Sequence, residues 1–231
     1  NPSKASNYLD AGLILKEHNR LPGALAAAEK AVEVAPDSAE AWRLKGLVET
    51  RLARFADAEK SYARAVELNP ASAETVLALA LAQAADSRFP AAAATFAQAI
   101  QRFPRHAILY QEFGRMLLEQ EKADDDATEA QAVKLLQTAL ALDVSLAEAR
   151  YQLGNLALRR GRLPEAVQHL AAAAKLKPES SKIHYGLGRA YQRQGRGAEA
   201  TKEFQAFQRL KAKADKSLSD EPVTESKPLR P

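Results

Sequence analysis

The sequence predicts an all-α protein built from six consecutive helical hairpins, and three observations support that fold class. Small residues recur with a spacing of 34 residues, and several prolines recur with the same spacing. Between them, apolar residues follow the periodicity of an α-helix. A single short match of this kind would be a weak signal, but six phased copies in one chain indicate a repeat protein.

The spacing divides most of the chain into six units. Their approximate boundaries are 5–38, 39–72, 73–106, 107–146, 147–180 and 181–214. The fourth unit is longer because six residues, 121–126, extend the turn between its two predicted helices. The segment 215–231 is polar and contains proline, so it lacks the apolar residues that would offset the entropy cost of ordering. We expect this segment to be a disordered tail.

Each unit carries a small residue at one position of each predicted helix. On the first helix these are Gly12, Gly46, Ala80, Gly114, Gly154 and Gly188, and on the second they are Ala24, Ala58, Ala92, Ala132, Ala166 and Ala200. Glycine costs roughly 1 kcal/mol in a helix interior. Five glycines at one position therefore predict a close approach of the two helices of each hairpin.

Prolines and arginines mark the helix ends. Prolines at the start of second helices, where a missing N–H costs nothing, are Pro22, Pro90 and Pro164. Prolines that end second helices are Pro36, Pro70, Pro104 and Pro178. Arginines that precede second helices are Arg20, Arg54, Arg88, Arg162 and Arg196. Each arginine either stabilises the carboxyl end of the first helix, or the five together form a ladder that binds an anion.

The second unit shows the most complete pattern. Its key residues are Trp42, Gly46, Ala58, Tyr62, Ala65 and Pro70. This pattern resembles the tetratricopeptide repeat, a helical hairpin of about 34 residues, and the resemblance covers nearly all of the chain except its tail. It implies a right-handed α-solenoid in which stacked hairpins share one core. It also implies a non-enzymatic interaction scaffold, with the first helices lining a concave groove where peptides commonly bind.

Charge is unevenly distributed along the chain. Residues 147–214 carry fourteen Lys or Arg against five Asp or Glu, whereas residues 1–146 carry sixteen against twenty. This asymmetry favours an acidic protein or peptide partner for the last two units over general nucleic-acid binding. No apolar run is long enough to cross a bilayer, so we expect no membrane span.

The residues that support catalysis or metal binding are scattered. The chain has no Cys, and its four His residues, His18, His106, His169 and His184, fall in different units. The aspartates 124–126 lack the spaced oxygen ligands, turn glycine and distal glutamate of a calcium loop. We therefore expect no enzymatic activity, no cofactor and no metal.

Two groove regions follow from the resemblance. An apolar half would present Leu9, Leu13, Leu47, Leu77 and Leu81. A basic half would present Arg115, Tyr151, Asn155, Arg159, Lys182, Tyr185, Arg189 and Arg193. Because arginine binds a carboxylate through two hydrogen bonds and stacks on aromatic rings, the basic half is the predicted site for an acidic segment.

Three functional hypotheses remain open at this stage. The chain is an adaptor in bacterial envelope or secretion assembly, the regulatory region of a larger enzyme, or a self-assembling unit that forms homo-oligomers. The chain begins at Asn1 rather than Met, so we expect that a signal peptide or an earlier repeat has been removed. We expect a periplasmic or secreted location in bacteria over a cytoplasmic one.

Overall fold

The structure, a computed structural model, describes residues 2–120 and 126–219 and confirms the all-α fold class. In these two segments the chain forms twelve α-helices and no β-strand. The helices are α1 (Pro2–Glu17), α2 (Leu21–Val34), α3 (Ala39–Arg51), α4 (Phe55–Leu68), α5 (Ala73–Ala85), α6 (Phe89–Arg102), α7 (Ala107–Glu119), α8 (Asp126–Leu142), α9 (Ala147–Arg159), α10 (Leu163–Leu176), α11 (Ser181–Arg193) and α12 (Gly197–Ser219).

Consecutive helices pair into hairpins, and the hairpins belong to two compact units. The first unit, Asn1–Leu142, contains the four hairpins from α1 to α8. The second unit, Asp143–Pro231, contains the two hairpins from α9 to α12. Within each unit, the second helix of one hairpin also packs against the first helix of the next. The repeat spacing thus predicts correctly which helices are neighbours.

The predicted close approach of paired helices is confirmed at the glycines that recur at one position of the repeat. A Cβ atom added to Gly154 would lie 2.6 Å from Cγ of Leu170. The same atom on Gly188 would lie 2.8 Å from Cε1 of Phe204. Such distances are well inside van der Waals contact, so only glycine allows these helices to pack so closely. The alanines at the matching position of the second helices are buried, five of the six with no exposed surface.

Whereas most of the turn in the fourth hairpin lies outside the described residues, the turn in each of the other five hairpins contains a residue with left-handed backbone geometry. These residues are Asn19, Ala53, Ser87, Gly161 and Gly195, with φ between 55° and 76°. In each case the next residue is an arginine whose backbone N–H donates to a carbonyl five residues earlier, for example Arg54 to Glu49 at 2.9 Å. This hydrogen bond supplies a donor to a carbonyl near the carboxyl end of the first helix. The sequence pattern did not reveal that Ala53 and Ser87 hold a conformation favoured by glycine.

The turn arginines also make local ion pairs. Arg162 pairs with Glu165 at 3.3 Å and Arg196 pairs with Glu199 at 2.7 Å. Arg88 bonds Glu59 of the preceding hairpin. These contacts support the interpretation that the arginines stabilise the turns, rather than forming a ladder for an anion.

The last helix is longer than the repeat frame predicts. The other described second helices contain 14 or 17 residues, whereas α12 contains 23 and continues to Ser219. Residues 215–219 therefore belong to a helix, not to the expected tail, and residues 220–231 lie outside the described residues. The inserted segment 121–125 also lies outside them, and α8 begins at Asp126. None of the described helices combines the length and apolar character needed to cross a membrane.

Candidate functional site

The predicted apolar groove residues are partly buried in the first unit. They are Leu9, Leu13, Leu47, Leu77 and Leu81. Leu9 and Leu13 pack against a buried cluster that contains Leu25, Leu44 and Val48, so these two side chains join the first two hairpins. Leu9 and Leu13 thus pack neighbouring hairpins together, and their side chains leave little exposed surface for a ligand.

Leu81 and Arg115 come from the two predicted halves of the groove, and the structure brings them together. Both line a pocket of about 300 Å³ in the first unit. Arg115 bonds Glu112 at 2.8 Å and Glu119 at 2.5 Å, both on its own helix α7. Burial opposes its charge, but the two carboxylates outweigh that effect and raise the pKa of Arg115. Arg115 is thus neutralised within its own helix and is a poor anchor for an acidic ligand.

In the second unit, α9 and α11 place Lys182 between an acid and an aromatic ring. Lys182 Nζ lies 2.8 Å from a carboxylate oxygen of Glu148 and 4.7 Å from the ring centre of Tyr151. Sequence reasoning missed Glu148, although the repeat spacing could have identified it. Glu148 and Lys182 are 34 residues apart, so they occupy the same position on adjacent first helices.

Arg193 has a structural partner. Its guanidinium donates a hydrogen bond to the backbone carbonyl of Leu158, near the carboxyl end of α9. A cation at this end of a helix is favoured by the helix dipole. Arg193 therefore links the two hairpins of the second unit, and it contributes less to a binding surface than the sequence predicts.

Two other predicted cations are exposed, Arg159 at the end of α9 and Arg189 on α11. In the described part of the chain, neither of them has a carboxylate partner. The Arg189 guanidinium lies 5.9 Å from the ring centre of Tyr185, which is 45% exposed. Asn155 extends toward α11, since its Oδ1 would lie 3.3 Å from a Cβ added to Gly186. These side chains form a polar and aromatic surface on the two first helices.

Tyr185 also belongs to an aromatic cluster with the last helix. Its ring centre lies 5.2 Å from that of Phe207 and 6.1 Å from that of Phe204. Both phenylalanines are partly buried. The tyrosine is thus held by packing on one side while the arginine lies against it, which restricts both side chains.

Metal ligands are not grouped on this surface. Within residues 2–120 and 126–219, no three His, Asp or Glu side chains are placed to hold a metal ion. The Nδ1 atoms of His106 and His169 are buried and have no hydrogen-bond partner there. His106 lies in the first unit and His169 lies in the second.

Comparison with known proteins agrees with this architecture. The family model of the tetratricopeptide repeat matches residues 9–73, 77–134, 130–181 and 151–215. No curated protein sequence matches the chain at a significant level.

Solved structures of similar fold include three helical repeat proteins. PilF of Pseudomonas aeruginosa is 16% identical, with a TM-score of 0.75 over 95% of this chain and 99% of PilF. PilW, a type IV pilus biogenesis factor, is 17% identical, with a TM-score of 0.69 over 94% of both chains. Yeast Tom70 is 21% identical, with a TM-score of 0.68 over 95% of this chain and 49% of Tom70. With the matched segments and the twelve helices, the conclusion is that this chain belongs to the tetratricopeptide repeat family.

Proposed function

We propose that this protein is a non-enzymatic interaction scaffold that binds an acidic peptide segment on the α9 and α11 surface of its second unit. Tetratricopeptide repeat proteins are generally scaffolds of this kind, which supports the broader statement. One observation carries the finer statement: Arg159 and Arg189 are exposed and have no carboxylate partner in the described residues. Because most other cations on this surface are paired, these two have the greatest capacity to bind an anion.

The neighbouring groups suit a carboxylate ligand. The Arg189 guanidinium can form two parallel hydrogen bonds to a carboxylate while its face stays near the Tyr185 ring. The amide of Asn155 can donate a further hydrogen bond to a peptide carbonyl. Lys182 is held by Glu148, so its charge is largely offset and it serves to position Tyr151.

The test measures binding of a fluorescein-labelled peptide rich in glutamate, by anisotropy, at low and high NaCl. We expect binding that weakens as salt screens the charges, and a loss of about tenfold or more for the double variant Arg159→Glu and Arg189→Glu. The matched control reverses Arg209 and Lys213, two exposed cations four residues apart on α12. If both double variants lose affinity equally, the binding depends only on net charge and the proposed site is wrong.

A second proposal concerns the biological setting. We propose a role in assembly at the bacterial envelope, and the similarity of fold to PilF and PilW over nearly their whole lengths supports it. The experiment is fractionation of cells that express the complete reading frame with an epitope tag. Recovery of the protein only with cytoplasmic markers would contradict an envelope role.

A further inference from the structure

Arginines at the carboxyl end of two first helices link adjacent hairpins. Arg51, the last residue of α3, reaches Oδ1 of Asn19 in the turn of the first hairpin at 3.4 Å. Arg193, the last residue of α11, bonds the carbonyl of Leu158 in the preceding hairpin. The two arginines occupy the same repeat position, and each contacts the preceding hairpin, Arg51 through a side-chain oxygen and Arg193 through a backbone carbonyl.

The fourth hairpin of the first unit has an acid at that position. Glu119 ends α7, and a carboxylate accepts hydrogen bonds but cannot donate one to a carbonyl of the preceding hairpin. Its carboxylate instead bonds Arg115 of its own helix at 2.5 Å. Near the middle of α6 and α7, the rings of Phe96 and Phe113 stack with their centres 5.2 Å apart. The aromatic contact thus joins α6 and α7 at their middle, away from Glu119.

A cleft opens where the start of α6 meets the end of α7 at Glu119. Helices α6 and α7 pack less closely than the equivalent pairs α2 with α3 and α4 with α5. Two adjoining pockets, of about 670 and 300 Å³, share Phe89 and Glu119 in their walls. Together they exceed the volume of a large amino-acid side chain and fall in the range of ligand sites.

The cleft is apolar inside and acidic at its edge. Its apolar walls are formed by Leu81, Phe89, Ala93, Met116 and Leu117. At the edge, Glu112, Arg115 and Glu119 carry one net negative charge. The carboxyl ends of α5 and α7 also lie here, and both present partial negative charge. A ligand that fits must combine an apolar group with a neighbouring cation.

We propose that this cleft binds a peptide segment in which a bulky apolar side chain stands next to a lysine or arginine. The apolar side chain enters between α6 and α7, and the cation pairs with Glu119 at the edge. The site lies wholly in the first unit and has the opposite charge to the α9 and α11 surface. It therefore stands independently of the acidic-peptide proposal made for the second unit.

The experiment starts from a phage-displayed library of random peptides, selected on the whole chain. We expect the selected peptides to share an aromatic or long aliphatic residue adjacent to Lys or Arg. One variant, Ala93→Phe, fills the cleft, and its control is Ala94→Phe on the exposed neighbouring position. The other variant, Glu119→Arg, reverses the charge at the edge of the cleft. It also places an arginine at the repeat position that Arg51 and Arg193 occupy. Its control is Glu17→Arg, the same residue at the same repeat position in the first hairpin.

Synthetic copies of the selected peptides are then measured by anisotropy on every variant, with urea unfolding as the check of folding. We expect Ala93→Phe and Glu119→Arg each to weaken binding by about tenfold, and both controls to stay within about twofold of wild type. If Ala93→Phe does not fold, Glu119→Arg decides the question.

Three results would overturn the proposal. The first is a set of selected peptides with no shared apolar and basic pair. The second is binding that survives both cleft variants. The third is a change of molecular mass by light scattering in Glu119→Arg alone, which would assign the cleft to a second copy of the chain. Acidic peptides that are lost on Arg159→Glu and Arg189→Glu would instead support the second-unit site while the cleft proposal fails.

Discussion

The indole Nε1 of Trp42 donates a 2.8 Å hydrogen bond to the backbone carbonyl of Pro36, six residues earlier. The same relationship recurs at the equivalent position of other repeats. The hydroxyl of Tyr110 donates to the carbonyl of Pro104 at 3.1 Å, and the guanidinium of Arg150 donates to that of Val144 at 3.3 Å. A side chain near the start of each of these first helices thus satisfies a carbonyl in the turn that precedes it.

The first prediction tests this bond. Trp42→Phe removes the donor and should lower the free energy of unfolding by about 1 kcal/mol, the usual net value of one hydrogen bond. Tyr110→Phe removes the equivalent bond while it keeps the six-membered ring, so it should cost a similar amount. Urea midpoints of both variants provide the measurement. If both variants have the urea midpoint of wild type, the recurrent hydrogen bond contributes nothing to stability.

The second prediction concerns the left-handed turn residues. Ala53→Gly and Ser87→Gly should each stabilise the protein by about 1 kcal/mol, because a left-handed backbone is unfavourable for residues with a Cβ. Gly161→Ala should destabilise it by a similar amount for the same reason. The control is Ala26→Gly at an exposed position inside α2, where glycine should cost about 1 kcal/mol. If Ala53→Gly and Ala26→Gly shift the thermal midpoint in the same direction relative to wild type, the turn geometry is contradicted.

The third prediction concerns the close approach of α9 and α10. Gly154→Ala places a Cβ 2.6 Å from Leu170, so we expect a loss of about 1–3 kcal/mol from overpacking. At Gly197, the first residue of α12, an added Cβ meets no atom within 4 Å. Gly197→Ala should therefore leave the urea midpoint at or above that of wild type. Equal losses in the two variants would show that the repeat frame is misassigned.

The fourth prediction is a pH dependence at His169. Burial lowers the pKa of His169, with Glu165 and Arg150 acting in opposite directions. The folded protein thus binds this proton less readily than the unfolded chain, whose histidine pKa is about 6.5. The contribution of His169 to the free energy of unfolding is complete above about pH 6.5 and is lost as the pH falls below that value.

His169→Leu should accordingly show a smaller drop in urea midpoint between about pH 7.5 and pH 5.5 than wild type does. The matched control is His18→Leu, which removes an exposed imidazole directly after the end of α1. An identical drop in wild type and His169→Leu would rule out this histidine as a source of acid sensitivity.

The surface residues show how far sequence reasoning reaches. The pairing of Lys182 with Glu148 follows from a spacing of one repeat, and that of Arg115 with Glu112 and Glu119 follows from helical spacing within α7. Both could be read from the sequence. The bond from Arg193 to the Leu158 carbonyl could not, because it depends on how closely α9 and α11 approach and on which rotamer reaches the backbone.

Glu49, in the core, also has a partner that only the structure reveals. The sequence places this acid where the tetratricopeptide repeat usually has an apolar residue. In the structure, Glu49 is 4% exposed and accepts a 2.6 Å hydrogen bond from Ser61 on α4. A charge-assisted hydrogen bond of this kind offsets part of the cost of burying a carboxylate. Neither helix alone reveals it.

The sequence by itself determined the number of hairpins, the pairing of their helices and the positions where glycine permits contact. It could do so because a repeat imposes one period on all these features, and small residues at that period leave few ways to pack. Only the tertiary structure decided which cations remain exposed, which carbonyls they bond, and that a cleft opens beside Glu119. Those features depend on side-chain partners from different helices and on distances between hairpins, which a one-dimensional period does not specify.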